Sequence, residues 1–139
     1  LADLTLYEAF DALSLKLAEL VTDPVTTIIG ENFQRSNDAP PDLPYLEPQF
    51  ISTPRRNTQT EQEVPYEAGI FQVSINFPRG SGLGTWIKIA GQIKEHFPTA
   101  TVLRRNGVEV KVSGAVRIPA PLYDGDKAAI PVQIPFTAT

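Results

Sequence analysis

From Phe71 to Phe77 the chain alternates without a break. Phe71, Val73, Ile75 and Phe77 fall on one side, and Gln72, Ser74 and Asn76 on the other. Successive strand side chains point to opposite faces, so this segment specifies a strand with one dry and one polar face. A central strand of a doubly covered parallel sheet would be apolar on both sides. The chain is therefore expected to build a sheet whose second face is wet or meets another molecule.

Two helical stripes supply the cover for the dry face. Across residues 3–21, Leu6, Phe10, Leu13, Leu17, Leu20 and Val21 recur at three- and four-residue steps, the spacing of an amphipathic helix. Asp3 or Thr5 is the expected cap, with Glu8 as the capping-box partner of Thr5. Asp23-Pro24 ends the segment. After the break at Pro78 to Gly82, Leu83, Trp86, Ile87, Ala90, Ile93 and Phe97 form a second stripe. Ser81 is its expected N-cap and Pro98 its stop. Trp86 is thereby assigned to the core.

The remaining strands are read from turns and prolines. Thr26 to Ile29 fits a short strand, and Asn37 to Pro44 a loop. Tyr45 to Thr53 is extended, with Pro48 marking an edge or interrupted strand. Asn106-Gly107 predicts a two-residue hairpin that places Leu103 opposite Val110 and Arg104 opposite Glu109. The return strand is expected to carry Val108, Val110, Val112, Val116 and Ile118 on one face, with a bulge at Gly114. Asp124 to Lys127 fits a turn. Ala128 to Thr137 then turns Ile130, Val132, Ile134 and Phe136 inward. Pro131 and Pro135 lack donors on the same side of that strand, so it ends the sheet or meets a loop there. The expected architecture is a single α+β domain over residues 1–139. It has an antiparallel or mixed sheet of about four strands, two helices packed on one face, and a polar arm at 54–67.

Composition removes several functions. The 139 residues include no Cys and a single His. That excludes disulfides, thiolate metal sites and cysteine nucleophiles. The net charge of −4 argues against a dedicated nucleic-acid reader, which presents a basic face. No apolar run approaches the ~20 residues of a membrane span, and the opening Leu-Ala-Asp-Leu-Thr does not read as a signal peptide.

No catalytic constellation assembles. Gly80-Ser-Gly-Leu-Gly84 lies between a strand and a helix, where a glycine loop can cradle phosphate. Thr85 stands where a third glycine belongs, and no Gly-Lys-Ser/Thr follows, so the expected role is a flexible turn. His96, near a helix C-terminus, is expected to be structural. The pairs Glu61/Glu63 and Asp124/Asp126 fall short of a calcium loop. No enzyme activity, cofactor or metal is expected.

The order of elements carries a resemblance. Tyr45-Leu46 opens a strand, and Gly69-Ile-Phe-Gln-Val leads into the alternating strand. Pro78-Arg-Gly-Ser-Gly precedes a helix ending His96-Phe97-Pro98. Asn106-Gly107-Val108 and a terminal Ile134-Pro135-Phe136 follow. Over roughly residues 5–138 this resembles the tail-terminator-like family of long-tailed bacteriophages. Pro48 and the long charged segment at 54–67 depart from the family's pattern. The resemblance implies a structural protein of the virion, assembled in the host cytoplasm at the head-proximal end of the tail. There a homo-hexameric ring would end tail-tube polymerisation and join tail to head. The implied partners are other copies of the chain, the tail-tube protein and a head-completion or neck protein. DNA would pass through without sequence-specific binding. Competing readings are another neck or tail protein, such as a head-completion protein or tail-tube subunit, and an anion- or nucleotide-binding enzyme.

Arg55, Arg56, Gln59, Glu61 and Glu63 of the arm, with Gln72, Ser74 and Asn76 of the polar strand face, are the candidate interface residues. The basic and acidic ends of the arm are expected to pair between adjacent subunits, which would fix register.

Overall fold

The computed structural model describes residues 4–23, 26–29, 43–53 and 67–139. In chain order the elements are α1 (Thr5–Ala18), β1 (Thr27–Ile28), β2 (Tyr45–Thr53), β3 (Glu67–Pro78), α2 (Gly84–His96), β4 (Val102–Arg105), β5 (Val108–Val112), β6 (Leu122–Asp124) and β7 (Lys127–Ala138). Six strands lie in the order β1-β2-β3-β7-β5-β4, and β6 pairs with β7 off that path. All pairings are antiparallel except the short parallel β1–β2 contact. The fold class is α+β as expected, but about four strands was too few. β1 falls within the short strand expected at Thr26 to Ile29, whereas β6, at three residues, is too short to show alternation. They exist because longer neighbours offer them pairing partners.

The alternating strand extends to twelve residues and pairs along its whole length with β7. Phe71, Val73, Ile75 and Phe77 form one core with Ile130, Val132, Ile134 and Phe136, and both helices pack onto that same face. The contact stripes of the helices are rotated from the expected ones. The buried residues of α1 are Glu8, Ala9, Ala12, Leu13 and Leu17, whereas Leu6, Phe10 and Val21 are exposed. Small alanines let the helix axis approach the sheet, and Phe10 stays at the rim, edge-on to Phe50 at 5.8 Å. In α2, Ile89 is buried in place of Ile87, and Leu83 is exposed.

Neither Thr5 nor Ser81 takes the cap position expected of it. Leu4 holds the cap position of α1 and Leu83 that of α2, and neither makes a side-chain cap bond. Asp3 lies outside the described residues. The Glu8 carboxylate accepts a bond from Asn106 Nδ2 at 3.0 Å, while the Ser81 hydroxyl donates to the Pro78 carbonyl at 2.6 Å.

The Asn106-Gly107 hairpin has the expected register, with Leu103 opposite Val110 and Arg104 opposite Glu109. Both turn residues have positive φ, 48° and 84°, as a type I′ turn requires. The turn also docks on α1, because Arg105 Nε donates to Asp11 at 2.7 Å. Asn106→Ala should therefore destabilise the fold by about 2 kcal/mol. It removes a bond to a buried carboxylate, worth about 1.5–3 kcal/mol, and strains a left-handed position. Asn106→Gly relieves only the strain. Urea denaturation should place Gly between wild type and Ala.

The prolines explain two further outcomes. The Leu46 carbonyl faces β1, accepting from the Ile29 amide, so Pro48 shares that outward parity. Its missing donor costs β2 nothing against β3, and β2 runs unbroken. On β7, Gln133 exchanges both backbone bonds with Arg117 on the side away from β3. Pro131 and Pro135 share that side, so the adjoining strand cannot continue. The long return strand is thus corrected: β5 ends at Val112, and beyond it the segment keeps the Ser113 amide's bond to the Pro135 carbonyl and the Arg117–Gln133 bridge. Gly114 lies in this irregular stretch, off the ladder, and is not a bulge within a strand.

Candidate functional site

Both helices cover one face of the sheet, which leaves the other for contacts outside the subunit. Register decides what that face displays. Gln49 of β2 lies opposite Gln72 of β3, and Gln72 opposite Gln133 of β7. Their amides form a hydrogen-bonded row: Gln72 Nε2 donates to Gln49 Oε1 at 3.0 Å, and Gln133 Nε2 to Gln72 Oε1 at 3.2 Å. Arg117, bridged to Gln133, extends the row to a fourth position. Each amide satisfies its neighbour, so the row is half-buried and pre-oriented without a large desolvation cost.

The row ends at a cleft of about 430 Å³ lined by Ile70, Ser113, Gly114, Ala115, Arg117, Gln133 and Pro135. The cleft exists because the chain leaves the β7 ladder after Val112, for the proline reason given above. Ile70 and Pro135 supply its apolar surface, and Arg117 its charge. Arg117 is exposed and forms no ion pair among the described residues.

Of the residues singled out from sequence, Gln72, Ser74 and Asn76 do share this face. They are not equivalent. Gln72 is central to the amide row and Ser74 is half-buried beside it. Asn76 is buried between Tyr45 and Ala129, and its Nδ2 lies 3.4 Å from the Ser74 carbonyl. Arg55, Arg56, Gln59, Glu61 and Glu63 lie outside the described residues, as does the pairing expected of the arm; Glu67, its last residue, begins β3. Gln49, Gln133 and Arg117 were missed by sequence reasoning. Their phase within each strand was readable, but which of them meet depends on long-range register.

The other candidates are structural. The ring Nε2 of His96 donates to the Lys16 carbonyl, and the ring stands edge-on to Phe97, joining the ends of the two helices. Gln92 clamps the Asp23 backbone with two bonds, of 2.9 and 3.0 Å. The glycine turn uses left-handed Gly80 and Gly82, and its one hydroxyl, on Ser81, is engaged by Pro78 and Trp86. Asp124 and Asp126 flank a tight hairpin turn at Gly125. Among the described residues, no group of three or more His, Asp or Glu is placed to hold a metal ion. No helix there is long and apolar enough to cross a membrane.

Comparison with known proteins adds three findings. A family profile described as "Phage tail terminator protein" matches residues 8–136. No curated protein matches the sequence. Among solved structures, a similar chain has a TM-score of 0.76 at 17% identity, covering 99% of this chain and 97% of its own. At that identity the likeness bears on the fold alone.

Proposed function

The chain belongs to the phage tail terminator family, and from this premise we propose that it closes into a homo-oligomeric ring of six subunits that ends tail-tube polymerisation and joins the tail to the head.

 The match over residues 8–136 carries the reading. Membership makes the protein a structural component of the phage tail. The head-proximal position, assembly in the host cytoplasm, and contacts with a tail-tube protein and a head-completion or neck protein are part of the proposal.

Two physical features support it. A sheet covered on one face leaves a polar, pre-oriented surface of the modest hydrophobicity found in non-obligate interfaces. A charge of −4 per subunit, repeated around a ring, repels the DNA backbone and favours passage over retention.

Tails grown without this protein should run past their normal length and fail to join heads. Electron microscopy of complete tails should show a ring about one tube diameter wide at the head-proximal end. Tails of normal length in its absence would remove the terminating role. A protein that is monomeric both in concentrated solution and on tails would remove the ring.

A further inference from the structure

The cleft at the end of the amide row has a counterpart elsewhere on the same subunit. The β6–β7 hairpin carries Leu122 at 65% exposure and Tyr123 at 56%. Asp124 is exposed at its tip and forms no ion pair among the described residues. Leu122 and Asp124, two positions apart on a strand, share one side. Tyr123 takes the other side, where the Arg79 guanidinium lies 5.0 Å from its ring centroid. Arg79 also ties down the turn: its amide donates to the Asp126 carbonyl at 2.8 Å, and its Nη1 to the Gly125 carbonyl at 3.4 Å. The hairpin is braced before any partner arrives, which lowers the ordering cost of docking.

We infer that the β6–β7 hairpin of one copy docks in the cleft of the next. Leu122 packs on Ile70 and Pro135, and the Asp124 carboxylate pairs with the Arg117 guanidinium. This deepens the ring reading above and rests on it. Three observations carry it. The chemistry matches on both sides, an apolar side chain with a neighbouring carboxylate against an apolar surface with a neighbouring cation. The cleft volume of about 430 Å³ falls in the ~300–1,000 Å³ range of pockets that enclose a ligand of this size. The two surfaces cannot meet within one subunit. Lys127, at the root of the hairpin, and Gln133, in the cleft, are six residues apart on β7, about 20 Å at ~3.3 Å per residue. Two different patches that meet only between copies make a head-to-tail contact, the kind that generates rings.

Charge reversal tests the contact. Arg117→Asp alone and Asp124→Arg alone should each raise the protein concentration needed for ring formation about tenfold or more, and reduce occupancy of tail ends. The double variant Arg117→Asp/Asp124→Arg restores the pair with its polarity exchanged and should recover assembly. Both positions are exposed, so melting temperatures should stay close to wild type, separating an assembly defect from misfolding. Single variants that assemble like wild type overturn the contact and leave the ring reading standing. Defective single variants with no recovery in the double variant overturn the Asp124–Arg117 pairing. Wild-type protein that forms no ring on tails overturns the ring reading and this contact with it.

Discussion

Trp86→Ala should destabilise the protein by about 3–5 kcal/mol, the usual cost of emptying a large aromatic site. Trp86 is 8% exposed. Its ring stacks on Phe77 with centroids 5.1 Å apart and planes 16° from parallel. Its indole Nε1 donates to the Ser81 hydroxyl at 3.1 Å. The substitution removes a stack, a hydrogen bond and the largest side chain that α2 sets against β3. Trp86→Phe keeps a ring against Phe77 and loses the bond, so it should fall well short of the alanine effect; one neutral hydrogen bond is worth about 1 kcal/mol. Ile87, one residue on and exposed, should tolerate alanine within about 0.5 kcal/mol. Denaturation midpoints for the three variants measure this ordering. If Trp86→Ala kept the wild-type midpoint but failed to assemble, the indole would be an interface anchor and not a core residue.

The contrast between Trp86 and Ile87 shows what periodicity can resolve. Apolar spacing identified both helices and the face of the sheet they cover, because a stripe is a local property of the sequence. It did not fix the rotation of each helix to better than one position. Ile87 and Ile89 are equally apolar, and docking against β3 and β7 chose Ile89. For α1 the docking face is centred on Ala9 and Ala12, residues too small to dominate a hydrophobicity pattern. The Asn106-Gly107 hairpin was readable down to its cross-strand pairs because its turn residues set the register locally.

The candidate site was readable only in part, for the complementary reason. Gln72 stood out because its own strand alternates. Its partners Gln49 and Gln133 come from segments separated from it by 23 and 61 positions in the chain, and no local rule aligns them. The cleft had a visible signal in Pro131 and Pro135. Those prolines predicted that β7 ends the sheet or meets a loop on one side; it does not end the sheet, because β5 and β6 pair with its two ends there, and the irregular stretch between them is the loop. The further step, that the opposite segment must leave the ladder after Val112 and open a cleft at Arg117, requires knowing that this segment is β7's neighbour.

Gly69→Ala should be the more damaging of two glycine substitutions, and opposite in sign to the other. Gly69 is buried in β3 on the helix-covered side, opposite Phe136. A Cβ there would lie 2.2 Å from the Ile51 carbonyl oxygen and 2.9 Å from Phe136 Cζ. Neither neighbour yields easily. The oxygen belongs to the backbone of β2, which is paired to β3 along its whole length. The Phe136 ring is backed by Phe50 at 5.0 Å, which is itself backed by Phe10 at 5.8 Å. Accommodating one methyl group means parting β2 from β3 or displacing a row of three aromatic rings, and should cost about 3 kcal/mol, the upper end for overpacking. Gly91 sits inside α2, where a Cβ would meet nothing within 4 Å. There alanine removes the entropy cost of a helical glycine and should stabilise the protein by about 0.5–1 kcal/mol. Thermal melts of the two variants should move in opposite directions. A Gly69→Ala protein that melts with wild type would mean that β2 and β3 separate freely at that end, and the close approach of Ile51 to Gly69 would then play no part in holding β2 in the sheet.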